Sequence, residues 1–179
     1  MKLLIVVDMQ TDFTTGALGS EAAQAIVPAV ARRIEDARKA GETVWFTLDT
    51  HGAGYSESQE GKNLPVLHCF KGEPGWDLDP AIEQAADPGM RRFEKNGFGA
   101  PDLIEELARM TQDAPRGEGL EIEICGLCTD ICVAVMALSL KGRFPEAKMR
   151  VHPALTAGLT PESGQAALTV MRSCQIEIS

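Results

Sequence analysis

In Gly126-Leu127-Cys128-Thr129-Asp130-Ile131-Cys132-Val133 a polar turn carrying two cysteines follows the alternating stretch Leu120-Glu-Ile-Glu-Ile-Cys125. The alternation reads as a strand. Val133 to Lys141 reads as a helix, with Thr129 as its N-cap. Cys132 then falls in the first helical turn, where the positive end of the helix dipole favours thiolate. First-turn N–H groups lack intrahelical partners and suit a developing oxyanion. One short turn would thus supply a nucleophile and its oxyanion hole. The competing reading is a thiol that only packs, as buried cysteines usually do, and it suits Cys69, Cys125 and Cys174. A zinc site on Cys125, Cys128 and Cys132 lacks a nearby His to complete four ligands. A redox pair of Cys125 and Cys128 conflicts with the place of Cys125 inside the strand.

Asp8 closes the apolar run Lys2-Leu-Leu-Ile-Val-Val7. A carboxylate at that depth is partly desolvated, which raises its proton affinity and suits a general base. Lys95, in Arg92-Phe-Glu-Lys-Asn-Gly-Phe98, reads alone as a surface lysine; beside Asp8 and a thiolate its charge stabilises both. In Asp49-Thr50-His51 the spacing lets both side chains reach one ion where a strand opens into a loop. Glu57, Glu60 and His68 follow in the same segment. Two His with carboxylates suit zinc, iron or manganese.

These residues need elements to hold them. Strands are expected at 2–7, 42–48, 90–94, 120–125, 147–152 and 174–178, and helices at 21–39, 102–110, 133–141 and 161–172. The alternation argues for a three-layer α/β fold, a mostly parallel sheet with helices on both faces. In such sheets ligands bind beyond the carboxyl ends of strands near a topological switch point. Asp8, Asp49, Lys95 and the Cys132 turn all fall there. Thr50 to Pro88 breaks the alternation. A loop of that length is usually functional or disordered, and this one carries two of the three histidines.

A chain of 179 residues suits one domain with a substantial core. A net charge of −9 argues against sequence-independent nucleic-acid binding. The start is too short and too soon acidic for a signal peptide, and no apolar run has the length of a membrane span. Five cysteines, an odd number, point to reduced thiols and a cytoplasmic protein.

Taken together, residues 6–13, Asp49-Thr50-His51, His68, Phe93-Glu94-Lys95 and 126–133 resemble the isochorismatase-like cysteine hydrolases, and within them the nicotinamidase branch. Each motif is weak singly; their combination and order are specific. The resemblance implies an Rossmann-like sheet and a catalytic triad of Asp8, Lys95 and Cys132. It implies a cis peptide between Leu127 and Cys128, with the backbone N–H groups of Cys128 and Cys132 forming the oxyanion hole. It further implies one divalent metal ion, zinc before iron or manganese, held by Asp49, His51, His68 and a loop carboxylate, Glu60 in preference to Glu57. Phe13 and Trp76 are the expected walls for a flat ring. The implied activity is hydrolysis of nicotinamide to nicotinate and ammonia through a Cys thioester, a step of NAD salvage, with homo-oligomers as relatives form. The alternatives are a hydrolase of the same fold acting on another small amide or ureido compound, and a catalytically idle metabolite-binding relative. A true isochorismatase would leave Cys132 and the metal ligands without a role.

Overall fold

Each apolar run is followed by a segment of helical period, so the chain crosses over and returns parallel to itself. The structure, a computed structural model, describes residues 1–179. Its strands are β1 (Lys2–Val7), β2 (Thr43–Asp49), β3 (Arg91–Lys95), β4 (Glu121–Leu127), β5 (Lys148–Ala157) and β6 (Glu177–Ile178). They form one sheet in the order β3-β2-β1-β4-β5-β6, and every neighbouring pair is parallel. The chain moves outward from β1 in one direction through β2 and β3, then in the other through β4, β5 and β6. The switch point therefore lies between the carboxyl ends of β1 and β4, where Val7 pairs with Gly126.

Strand β1 is central and is buried on both faces. Leu3, Ile5 and Val7 pack with α5 (Pro101–Met110), α6 (Ala134–Arg143) and α7 (Pro161–Ser173). Leu4 and Val6 pack on the other side with α2 (Glu21–Lys39) and α4 (Pro80–Ala85). Helix α2 supplies the stripe Ala23, Ile26, Val27, Val30, Ile34 and Ala37, and Ser20 caps it by accepting the Ala23 N–H. Each such Leu, Ile or Val contributes about 1.5–3 kcal/mol through burial. No helix is long and apolar enough to cross a membrane.

The structure departs from the sequence expectation in five places. Thr129 does not cap a helix. Thr129–Val133 forms a π turn with Cys128 at its start, in which the Val133 N–H reaches back to the Cys128 carbonyl, and α6 begins only at Ala134. The long 50–88 segment is partly ordered as a 3₁₀ turn (Tyr55–Glu57), α3 (Gln59–Asn63) and α4. Helix α1 (Thr11–Thr14) is likewise a single turn. Elements this short show no readable period. Strand β5 runs on past Pro153 through an irregularity in its pairing with β4, whereas β6 is only two residues long.

Away from the switch point, Glu123 is held by Arg33 through Nε (2.9 Å) and Nη2 (3.1 Å), and by Arg150. Burial alone would raise its carboxyl, but the two guanidiniums outweigh burial and lower it. A carboxyl lowered on folding stabilises above its unfolded value of about 4.3 and loses that contribution as pH falls through the lower folded value. Glu123→Gln is expected to lose about 1.5–3 kcal/mol at pH 7. In urea titrations the gap from the parent should close below about pH 4; a gap of constant size would refute the ionic account.

Candidate active site

Four strand ends and one loop build the site. Asp8 follows β1 with φ at +48°, a left-handed conformation that turns its carboxylate back over the sheet edge. Its Oδ1 accepts the Thr47 hydroxyl at 2.6 Å, and its Oδ2 lies 2.7 Å from the Lys95 ammonium. Lys95 ends β3 opposite Asp49, the last residue of β2. From there its Nζ reaches Asp49 Oδ1 at 3.3 Å, the Gly97 carbonyl at 3.0 Å and Cys132 Sγ at 3.5 Å. Asp8, Lys95 and Cys132, distant in sequence, thus share one buried cluster.

Close approach of β1 and β4 makes this geometry reachable. Gly126 has φ of +112°, and a Cβ there would stand 2.1 Å from the Val7 carbonyl oxygen. Only glycine fits. Two residues on, the Leu127–Cys128 peptide is cis, as the resemblance implies. The Cys128 N–H donates to no backbone or side-chain acceptor, so it is free to serve an oxyanion.

The electrostatics at Cys132 pull in opposite directions. Burial pushes the Cys132 thiol well up, and the charge of Asp8 adds to this while Lys95 opposes it. Burial therefore works against the thiolate that a helix terminus would favour. Burial also raises Asp8, against the pull of Lys95. Lys95 stays protonated: burial works against its charge, but the anions around it, Asp8 first, outweigh burial. A neutral thiol beside a carboxylate of raised proton affinity is a donor–acceptor pair suited to nucleophile activation. Cys128 is pushed up to about 12, chiefly by burial, and Cys125 is fully buried in β4.

A second cluster adjoins the first. One ligand atom each from Asp49, His51, Glu60 and His68 lie within 4.8 Å of one another. His51 Nε2 stands 3.0 Å from Asp49 Oδ2 and 3.8 Å from Glu60 Oε1, and it is buried without a hydrogen-bond partner. The Val66 carbonyl, 2.8 Å from His68 Nδ1, holds the proton there and leaves Nε2 facing Asp49. Burial would raise Asp49, but the imidazoles of His51 and His68 beside it and the charge of Lys95 lower it, so it stays ionised. Lone pairs of two imidazoles and two carboxylates crowd one point, which a divalent cation resolves. The donor set fits zinc, iron or manganese. Glu60 is in the cluster; Glu57 is exposed in the 3₁₀ turn and outside it.

Between the two clusters lies a cavity of about 160 Å³, lined by Asp49, Glu60, His68 and Cys132 on its reactive side. Phe13 forms a wall, its ring edge-on to His68 with centroids 5.6 Å apart. Trp76 does not line this cavity. Its indole N–H bonds the Thr50 hydroxyl at 2.9 Å and its carbonyl accepts from Gln10, so it anchors the loop. Leu64 and Ile131 complete the apolar wall instead.

Two positioning residues escape sequence reading. Thr47 fixes Asp8. Gln10, fully buried, donates to the Asp49 carbonyl (2.9 Å) and the Trp76 carbonyl (2.8 Å) and accepts the Asp49 N–H (2.7 Å). It acts as a short strand beside the end of β2, with nothing in its type or spacing to announce that.

A model of the isochorismatase domain matches residues 2–179. The nicotinamidase/pyrazinamidase of Mycobacterium tuberculosis is 27% identical, across 99% of this chain and 98% of that protein. The pyrazinamidase/nicotinamidase of Streptococcus mutans superposes with a TM-score of 0.84 at 26% identity, covering 100% of both chains. The pyrazinamidase of Pyrococcus horikoshii in complex with zinc gives 0.81 at 26% identity, covering 99% of this chain and 98% of that one.

Gln10→Leu should leave Asp49 poorly held and lower zinc affinity by about 10–100-fold in calorimetric titration of the metal-free protein. Unchanged affinity in a folded variant would reduce Gln10 to a loop strut.

Proposed function

The chain belongs to the isochorismatase family, hydrolases by kinship, and from that premise we propose that it hydrolyses nicotinamide to nicotinate and ammonia. One observation carries this reading: a small cavity with apolar walls joins a buried thiol to a cluster of metal-ligating side chains. A flat ring carboxamide with a ring nitrogen meets both ends of such a cavity. The similarity to nicotinamidases over the whole chain supports the same reading.

In the proposed reaction Asp8 takes the Cys132 proton as the carboxamide carbon arrives, so thiolate forms only in contact with substrate. Sulfur attacks that carbon, and the backbone N–H groups of Cys128 and Cys132 receive the oxyanion. Asp8 returns the proton to the departing nitrogen, which leaves as ammonia, with the nicotinoyl group held as a thioester on Cys132. Asp8 then takes a proton from water as the water oxygen attacks the thioester carbon; the carbon–sulfur bond breaks, nicotinate leaves, and the Cys132 sulfur takes the proton from Asp8. Lys95 keeps its charge throughout and balances the anionic species beside it. Asp49, His51, Glu60 and His68 would hold a divalent ion, zinc first among the candidates, whose Lewis acidity would serve to bind and orient the ring nitrogen. Phe13 packs against the ring.

A carbamoyl or ureido substrate ending in a carboxylate would ask for a cationic or amide partner. The cavity lining contains no lysine, arginine, asparagine or glutamine. That observation favours an uncharged amide over one that carries a carboxylate. The complete set of Asp8, Lys95 and Cys132 weighs against a catalytically idle relative.

Ammonia release from nicotinamide should fall at least about 10⁴-fold in Cys132→Ala, with the fold retained by circular dichroism. Chelation should abolish release in the parent, and zinc, manganese or iron should restore it. Appreciable turnover in Cys132→Ala would end the thiol mechanism. No turnover by metal-replete parent, alongside tight binding, would favour the idle reading.

A further inference from the structure

The outer rim of the cavity is apolar and faces solvent. Leu159, 68% exposed, and Phe98, 48% exposed, both line it, with Leu18 alongside. Leu159 sits in the connection from β5 to α7, and its backbone is held from three directions. Its N–H donates to Asp130 Oδ1 at 3.0 Å. Thr160, the next residue, is tied into a capping box in which it accepts the Ser163 N–H at 3.1 Å and donates its own N–H to Ser163 Oγ at 3.2 Å. Gly158, the preceding residue, packs so closely on α7 that a Cβ there would lie 2.9 Å from the Gly164 Cα. A large apolar side chain held in solvent by a restrained backbone is a feature that core packing does not explain.

Asp130 belongs to the π turn between Cys128 and Cys132, so its bond to Leu159 ties the cavity rim to the turn that carries the nucleophile. We propose that Leu159 is a specificity-determining residue, positioned over the cavity mouth by Asp130, and that it excludes ring carboxamides bearing alkyl substituents on the solvent side. Leu18, Phe98 and Leu159 offer no charged or hydrogen-bonding side chain, so selection by these residues is by size. The inference rests on the amide-binding reading above.

The test is calorimetric binding of nicotinamide and its ring-methylated and ring-ethylated derivatives to zinc-loaded Cys132→Ala, into which the rim variants are introduced. Leu159→Ala is expected to shift the affinity ratio of ethylated to unsubstituted ligand by about tenfold or more toward the larger one, the scale of apolar size discrimination. Asp130→Ala should shift the ratio the same way by freeing the loop. Asp130→Asn keeps an acceptor oxygen for the Leu159 N–H and should keep the parental ratio. In the Cys132-containing enzyme the same shift should appear in KM for the ethylated amide. An unchanged ratio in Leu159→Ala overturns the proposal, as does Asp130→Ala weakening all ligands equally. Nicotinamide that binds but is never hydrolysed by the parent overturns the reaction and leaves the rim standing; failure of every amide to bind overturns both.

Discussion

The site depends on one buried ammonium. Lys95 Nζ touches Asp8, Asp49, the Gly97 carbonyl and Cys132 Sγ, and so joins the carboxyl ends of β1, β2 and β3 to the turn after β4. Taking a lysine out of water is costly unless anions surround it, and removing one partner of a buried pair costs about 3–5 kcal/mol. Here Asp8 and Asp49 together supply the compensation. Each carboxylate then has a second allegiance: Asp8 to the thiol chemistry, Asp49 to the His51, Glu60 and His68 cluster. The two halves of the site are therefore coupled through a charge that itself never needs to move.

That arrangement sets opposing influences on the thiol. Lys95 favours thiolate, but its charge is already shared with two carboxylates, and burial of Cys132 dominates. A neutral thiol in an apolar cavity resists unwanted oxidation and alkylation, since thiolate is the reactive form. In the proposed reaction, deprotonation is confined to the moment when substrate fills the cavity and the oxyanion has its N–H partners.

Much of this was legible because parallel strands end on residues whose types are unusual there. Asp8 and Asp49 each interrupt an apolar or β-rich run and Cys132 follows one, whereas Lys95 closes a mostly charged strand and is legible only beside the other motifs. What escaped reading depends on through-space detail. Gln10 and Thr47 act by bonding backbone or side-chain atoms 39 residues away, and polar residues in a loop carry no sign of such partners. Trp76 looked like a ring wall because aromatics favour cavities, yet its N–H needed an acceptor and found Thr50. The Cys132 turn looked like a helix start because a π turn and an α-helix share the same apolar spacing over five residues. Glu60 rather than Glu57 joins Asp49, His51 and His68 because the 3₁₀ turn and α3 rotate only one of them inward, a rotation that loop sequence does not encode legibly.

The proposed chemistry passes through a covalent bond between Cys132 Sγ and the acyl carbon. Acid quenching of metal-replete enzyme during nicotinamide turnover, followed by peptide mass spectrometry, addresses that bond directly. The account predicts a nicotinoyl mass increment on the peptide carrying Cys132, lost on treatment with hydroxylamine. Turnover with an unmodified Cys132 peptide, under quench conditions that preserve a synthetic nicotinoyl thioester, would contradict it.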